Sequence, residues 1–434
     1  MRRNSEPASV RLGVRRRTIN QRRWLMKEKK TKRKKWIKLR HRMFIRTILP
    51  FLGLHVKRKY GVTVERFKNQ EKRPYLVLMN HQTGYDQFFV YMAFRGPIYS
   101  VATEDIFSMG FVSKIIRFLV APIPIKKSTH DAGAVMNCIR VAKEGASIAI
   151  FPEGNRTYSG KTEYISPAIA KLARMLKLPI AFMRIEGGYG VQPRWSDVVR
   201  KGKMRAYVSR VMEVDEVKNY TADELYEIIK QELYVNENVS DGEFVHEKTA
   251  EYIERAMYVC PYCGLSEFES HDDVVECKKC HRQVKYSCDK RLQGVGFEFP
   301  FAYMGDWYDY QSEFVSNLEL APYQDEPVYQ DEGVALSDVV LYQKKRRLKE
   351  NLQMRAYNNR FAFADGEYGL ELPFDDITAV TVLGKNKLNI YYDDSKKAYQ
   401  IKGSKRFNAL KYVQLYYHYR NTKEGNPNGK FLGL

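Results

Sequence analysis

Two short polar blocks hold the residues of this chain best suited to chemistry. The first is Asn80-His81-Gln82-Thr83-Gly84-Tyr85-Asp86 and the second is Phe151-Pro152-Glu153-Gly154-Asn155-Arg156-Thr157. The first offers an imidazole with a carboxylate five residues on. Helical side chains face each other at spacings of three or four, not five. The segment therefore reads as a turn that folds Asp86 back under His81, with Gly84 supplying backbone freedom. A carboxylate on one imidazole nitrogen fixes the tautomer and leaves the other nitrogen basic, which is how a weak hydroxyl nucleophile can be activated. A strand cap followed by a helix cap would leave the same two residues at the same spacing, so the pair alone does not decide. In the second block, Pro152 and Gly154 end a strand sharply, and Gly154 allows close approach of a ligand. Arg156 presents a planar fork suited to phosphate. Glu153, on its short tether, bonds backbone amides or holds Arg156. The plain alternative is a surface turn with an ion pair.

Each block follows a short apolar run that reads as a buried strand, Tyr75 to Met79 before the first and Ala146 to Ile150 before the second. In open α/β sheets ligands bind beyond the carboxyl ends of the strands. Two polar blocks in that position predict one shared site. Residues 61–236 alternate strand signals (75–80, 98–103, 120–125, 147–151, 179–185, 204–211) with helix signals (86–95, 111–118, 131–143, 164–177, 222–234). The alternation predicts an α/β layer with a largely parallel sheet flanked by helices.

Taken together and in this order, the blocks resemble those of the glycerolipid acyltransferase family, which includes the 1-acylglycerol-3-phosphate (lysophosphatidate) acyltransferases. That family carries Asn-His-x-x-x-x-Asp and then Phe-Pro-Glu-Gly-Thr-Arg-Ser. His81 and Asp86 match the first block; Phe151, Pro152, Glu153, Gly154 and Arg156 match the second, while Asn155 and Thr157 replace its Thr and Ser. A third family block ends in an arginine near Pro122-Ile123-Pro124-Ile125, where Lys126 and Lys127 stand instead, supplying charge without a bidentate fork. The fourth is a weaker match at Leu178-Pro179-Ile180-Ala181-Phe182-Met183 and reads as packing; Arg184 beyond it has no assigned role. The resemblance covers roughly residues 40 to 235. It implies transfer of an acyl chain from acyl-CoA or acyl-carrier protein to the free hydroxyl of lysophosphatidate, giving phosphatidate. In that reading His81 is the general base, Asp86 orients it, and Glu153, Gly154, Arg156, Lys126 and Lys127 form the phosphate pocket. No catalytic metal is implied. Another lysophospholipid or glycerol 3-phosphate is the alternative acceptor.

The 434 residues, 44% hydrophobic, are enough for two or three domains. The net charge of +22 is concentrated at one end: residues 1–60 hold 22 Lys and Arg against Glu6 and Glu28, and the remainder is nearly neutral. Within this arm, residues 21–56 set basic groups against Trp36, Leu39 and Met43 at helical spacing. That is the composition of a helix lying in an anionic membrane interface, and also of one packed on its own domain. No apolar run reaches the roughly 18 residues needed to span a bilayer, and the basic start lacks the pattern of a secretory signal. The expectation is a peripheral protein on the cytoplasmic face of a membrane. A zinc-ribbon nucleic-acid-binding module is the competing class, supported by the basic arm and by the paired cysteines between positions 260 and 280.

Five of the six cysteines lie between positions 260 and 288. Cys260-x-x-Cys263 and Cys277-x-x-Cys280 supply four thiolates at the spacing of a zinc ribbon, a closed and therefore structural site. Cys288 and His281 are left over, and Cys138 reads as core. Period-two runs from Val339 to Ile401, followed by a helical tail from Arg406 to Tyr419, are similar to a pleckstrin-homology or GRAM-like barrel closed by a helix. The expected organisation is a docking arm at 1–56, an acyltransferase domain at 57–240, a helical linker (Glu243 to Tyr258) and zinc ribbon at 241–330, a mainly-β domain at 331–421 and a tail at 422–434.

Overall fold

The computed structural model describes residues 35–103, 106–107, 110–125, 132–239, 241–340, 345–392 and 397–426. Residues 1–34, most of the basic arm, lie outside the described residues, and Ile37 onward forms one compact unit. Two helices come first, α1 (Leu39–Thr47) and α2 (Leu49–Tyr60). Pro50 opens α2 where a missing N–H costs nothing, and Gly61 ends it at φ +63°.

Strands β1 (Val62–Val64), β2 (Leu76–Met79), β3 (Ile98–Thr103), β4 (Ile123–Ile125), β5 (Ser147–Ile150), β6 (Ile180–Glu186) and β7 (Met204–Met212) form a sheet in the order β1-β7-β6-β2-β5-β3-β4. Its pairs are parallel except β6 with β7. The connecting helices are α3 (Asp86–Ala93), α4 (Phe111–Leu119), α5 (Ala132–Lys143), α6 (Ala168–Leu176), α7 (Gly188–Val191), α8 (Val214–Lys218) and α9 (Ala222–Leu233). β2 and β5 are buried along their whole length, as expected of central parallel strands covered on both faces. They are neighbours in register, Leu76 beside Ile148 and Leu78 beside Ile150. The chain therefore leaves both at the same edge, which sets the first polar block next to the second.

Residues 243–258 do not form the expected helix. Phe244 is wedged so closely that a Cβ on Gly190 or Gly202 would meet its ring within 2.5 Å. Val245 exchanges backbone hydrogen bonds with Lys201 in both directions. Tyr252 sits at φ +70°, and only a 3-10 turn, Ile253–Arg255, is helical. An anchoring aromatic and an edge pairing override the local helix preference.

Next come a hairpin, β8 (Val259–Cys260) with β9 (Gly264–Leu265), and a four-stranded antiparallel sheet, β10 (Phe268–His271), β11 (Val274–Cys277), β12 (Gln283–Tyr286) and β13 (Leu292–Gly294). Helix α10 (Met304–Ser316) leads to a second seven-stranded sheet of β14 (Tyr329–Val340), β15 (Arg346–Ala356), β16 (Arg360–Ala364), β17 (Gly369–Pro373), β18 (Ile377–Leu383), β19 (Lys387–Tyr392) and β20 (Lys397–Lys402). This sheet is antiparallel, ordered β17-β16-β15-β14-β20-β19-β18. A ladder closing it between β17 and β18 is absent among the described residues. Helix α11 (Leu410–Lys423) packs on it, with Tyr412 Oη donating to Asp331 and Tyr416 Oη to the Ile377 carbonyl. One hydrophobic core runs from Tyr158 and Trp195 through Val275 and Trp307 to Leu336, Val382 and Tyr412. The cysteine-bearing sheet and the C-terminal sheet thus share their interior with the loops of the first sheet.

Candidate active site

The turn 80–86 is built around Asp86, which is fully buried at the first position of α3. Its Oδ2 accepts from the backbone N–H of Gln82 (2.6 Å) and Thr83 (2.9 Å), and its Oδ1 from the Thr83 hydroxyl (2.5 Å). His81 Nδ1 is 2.9 Å from Asp86 Oδ2. A carboxylate already accepting several N–H and O–H bonds can only accept from the ring. Nδ1 is therefore the protonated nitrogen, and Nε2 is left as the base. The His81 side chain is 20% exposed, and its ring lies on Phe151 with centroids 4.3 Å apart. Burial pulls the imidazole below its ordinary 6.5; Asp86 opposes that, and the nearby guanidinium groups of Arg156 and Arg194 reinforce it. Gly84 makes no use of its freedom: its φ is ordinary and a Cβ there would meet open space. The turn is shaped by Asp86 and Thr83 instead.

Asn80 ends β2 with a fully buried side chain that completes a ladder. Its Nδ2 donates to the Ile185 carbonyl and its Oδ1 accepts from Ile185 N–H, both at 2.8 Å. That pins the end of β2 to β6 just before His81.

The second block turns at Gly154, φ +68°, where the N–H of Gly154 reaches back to the Phe151 carbonyl at 3.0 Å. Glu153 is buried and stitches the two blocks together, accepting from His81 N–H (2.8 Å) and Glu163 N–H (2.9 Å). Burial pushes its carboxyl up to about 8, against the pull of those two N–H donors. With both oxygens taken by backbone, Glu153 shapes the pocket from behind. Arg156 is half-buried, and its guanidinium forms no hydrogen bond or ion pair with protein among the described residues. Burial first and Arg194 second bring it down to about 10, while Asp86, Tyr158 and Tyr60 favour its charge. A desolvated guanidinium without a protein acceptor among the described residues is suited to an anion such as a phosphate. Lys126 and Lys127 lie outside the described residues.

A family model described as Acyltransferase matches residues 61–186. These residues form an acyltransferase-family domain. The 1-acyl-sn-glycerol-3-phosphate acyltransferase of Borreliella burgdorferi is 27% identical over 114 residues, which are 26% of this chain and 46% of that protein. The chain thus spans under half the length of this curated relative. The crystal structure of the 1-acyl-sn-glycerophosphate (LPA) acyltransferase PlsC from Thermotoga maritima is also similar. It is 22% identical, with a TM-score of 0.37, over 43% of this chain and 77% of that one.

Several residues around the acyltransferase-domain site carry no signal in the sequence. Tyr60, from α2, donates to Gln192 Oε1 at 2.9 Å and packs on Tyr85. Arg184 donates to the Tyr234 carbonyl at 3.0 Å, which ties β6 to the end of α9. Arg194 is 1% exposed and reaches the Arg156 carbonyl at 2.9 Å. The only advance hint is residue type: arginines among apolar neighbours must find acceptors somewhere.

A second cluster lies apart from the first in sequence. The sulfur atoms of Cys260, Cys263, Cys277 and Cys280 all lie within 4.8 Å of one another, with Cys260 to Cys280 at 3.9 Å and Cys263 to Cys277 at 4.0 Å. Thiolates around tetrahedral zinc, at about 2.3 Å from the metal, would stand about 3.8 Å apart. The donor set and its spacing fit that ion. Gly264 follows Cys263 at φ +71° and completes the knuckle turn. Cys288 and His281 are not in the cluster, and Cys138 is buried in α5.

Proposed function

We propose that this protein transfers an acyl chain from acyl-CoA or acyl-carrier protein to the free hydroxyl of 1-acylglycerol 3-phosphate, making phosphatidate for phospholipid synthesis. The observation that carries the reading is the His81–Asp86 pair at 2.9 Å, stitched through Glu153 to the loop that bears Arg156, whose guanidinium has no protein acceptor among the described residues. A base for the acceptor hydroxyl and a cation for its phosphate then belong to one pocket. His81 Nε2 takes the hydroxyl proton as the oxygen attacks the thioester carbonyl, and Asp86 stabilises the imidazolium. As the tetrahedral intermediate collapses, the C–S bond breaks and His81 returns the proton to the leaving thiolate. No acyl-enzyme is formed. The thioester is already activated, so positioning and proton transfer suffice. The test is turnover of one acyl-CoA by purified protein against lysophosphatidate, other lysophospholipids and glycerol 3-phosphate. Lysophosphatidate is the expected best acceptor, and a clear preference for either alternative would reassign the substrate.

The four clustered cysteines would hold one structural zinc. With all four positions filled by thiolate it has no open site for substrate.

The protein would work docked on an anionic membrane surface, from the cytoplasmic side. Among the described residues no helix is long and apolar enough to cross a membrane. Support for docking comes from α1 and α2, which expose Leu39, Met43, Phe51 and Leu54, and from α4, which exposes Phe111, Val112 and Phe118. The two regions adjoin where Arg40 donates to the Phe118 carbonyl at 2.8 Å and lies over its ring. α2 also packs inward through Leu49, Gly53 and Val56, so its apolar residues serve both sides. Apolar rings exposed among lysines and arginines suit a lipid interface better than a nucleic acid. Phe51 and Phe111 are 76% and 74% exposed. Replacing both with aspartate should weaken co-flotation with anionic vesicles by at least about tenfold and leave the melting temperature unchanged. Undiminished flotation would exclude this face as the docking surface.

A further inference from the structure

Arg194 is buried and forms no ion pair within 4 Å among the described residues, although Glu163 is close enough to feel its charge; backbone carbonyls satisfy it, with Asn155 Oδ1 a longer acceptor at 3.5 Å. Nη1 donates to Arg156 (2.9 Å), Nη2 to Val382 (3.0 Å) and Nε to Gly384 (2.9 Å). The guanidinium lies 4.2 Å over the Tyr158 ring. Arg156 and Tyr158 belong to the anion-binding loop; Val382 and Gly384 belong to β18 and the turn after it, about 190 residues away. A second tie runs the same way, from Tyr158 Oη to the Lys385 carbonyl at 2.8 Å. A third joins Lys385 Nζ to Asp197 at 2.7 Å, and Asp197 is itself paired with the buried Arg255 at 2.8 Å. Arg156 thus rides on a short loop held on one side by Glu153 and on the other by a fork anchored in the C-terminal sheet.

We propose that the β18–β19 turn of the C-terminal sheet is part of the acceptor-phosphate site, and that Arg194 is the positioning residue through which it fixes Arg156. The C-terminal sheet would then set affinity for the phosphorylated acceptor without touching the thioester chemistry. This rests on the acyltransferase reading above. A fork bonded to three carbonyls has no substitute in lysine, which offers charge but not the planar donor set. Arg194 also acts on Arg156 electrostatically, lowering its pKa, so a phosphate anion bound at Arg156 would offset that repulsion.

The experiment uses the full chain and three variants, Arg194→Lys, Tyr158→Phe and Arg156→Gln. Lysophosphatidate and acyl-CoA are each varied while the other is saturating. Arg194→Lys should raise the acceptor KM by about tenfold and Tyr158→Phe by about threefold, with the acyl-CoA KM held within twofold. A fall in kcat with both KM values unchanged would mean only a loss of folded enzyme and would overturn the proposal, as would an equal rise in both KM values. If Arg194→Lys does not fold, Tyr158→Phe decides alone, and an unchanged acceptor KM refutes it. If the wild type turns over no lysophosphatidate, it is the acceptor assignment that fails, and calorimetric titration with inorganic phosphate then judges this inference. Phosphate binding lost in Arg156→Gln and weakened in Arg194→Lys supports it. Equal binding by the wild type and Arg194→Lys overturns it.

Discussion

His81→Ala should lower kcat/KM for acyl transfer by about a hundredfold to ten-thousandfold, the range that a positioned general base contributes. The loss should appear in kcat, because removing the imidazole leaves the Arg156 loop in place. Folding should survive. The ring is partly exposed and rests on Phe151, while Asp86 keeps its bonds from Gln82 and Thr83. Steady-state kinetics beside a thermal melt check both points, and a variant with near-normal rate and normal stability would remove His81 from the mechanism. The same residue sets a pH dependence. In the proposed mechanism the active form is the neutral imidazole, and burial with two neighbouring guanidiniums pulls its pKa below 6.5 despite Asp86. The acid limb of kcat/KM should therefore have its midpoint below pH 6.5. A phosphate bound at Arg156 offsets one of those guanidiniums, so the limb in kcat should lie above that in kcat/KM. A limb in kcat/KM above pH 6.5 would contradict the site's electrostatics.

Loss of the proposed structural zinc should have the largest effect on stability. Zinc in four-thiolate sites contributes on the order of 10 kcal/mol to the folding of isolated ribbons. Here the cysteine-bearing strands are not isolated: Val275, Cys277, Val284 and Tyr286 share their core with Trp195, Trp307 and Leu336. Their release should expose the side of the acyltransferase domain that packs on them. Purified protein should carry one zinc per chain by elemental analysis. Cys260→Ser should lose it and melt on the order of 10 °C lower. Cys288→Ser, outside the cluster, should retain both metal and melting point. Metal-free wild type that melts at the same temperature as the loaded protein would end the structural-zinc reading.

Much of this architecture is legible because local and global preferences agree. β2 and β5 are continuous apolar runs since they lie in the middle of a sheet covered on both faces. The strands of the C-terminal sheet show period two because one side of each faces the common core. Asp86 is readable as a helix-initial carboxylate, and its spacing from His81 as a turn. Where the reading fails, distant contacts decide. β1 is three residues long and exists through pairing with β7 some 140 residues on. The segment after Glu243 looks helical until Phe244 finds its slot between Gly190 and Gly202. Arg194 is one arginine among 73 basic residues, and its role is made by carbonyls that no local pattern can announce. Glu153 is half legible: a buried carboxylate on a tight turn must meet amides, but that one of them belongs to His81 follows only from the adjacency of β2 and β5.

The proposed convergence of His81 and Arg156 on a single phosphorylated alcohol is tested with two acceptors that differ by one group, 1-acylglycerol 3-phosphate and the same acylglycerol without its phosphate. Each is assayed with wild type and with Arg156→Gln. Wild type should favour the phosphorylated acceptor by about a hundredfold in kcat/KM, and Arg156→Gln should erase most of that preference while turning over the phosphate-free acceptor as wild type does. An equal preference in both proteins would mean that the guanidinium and the imidazole do not serve one substrate.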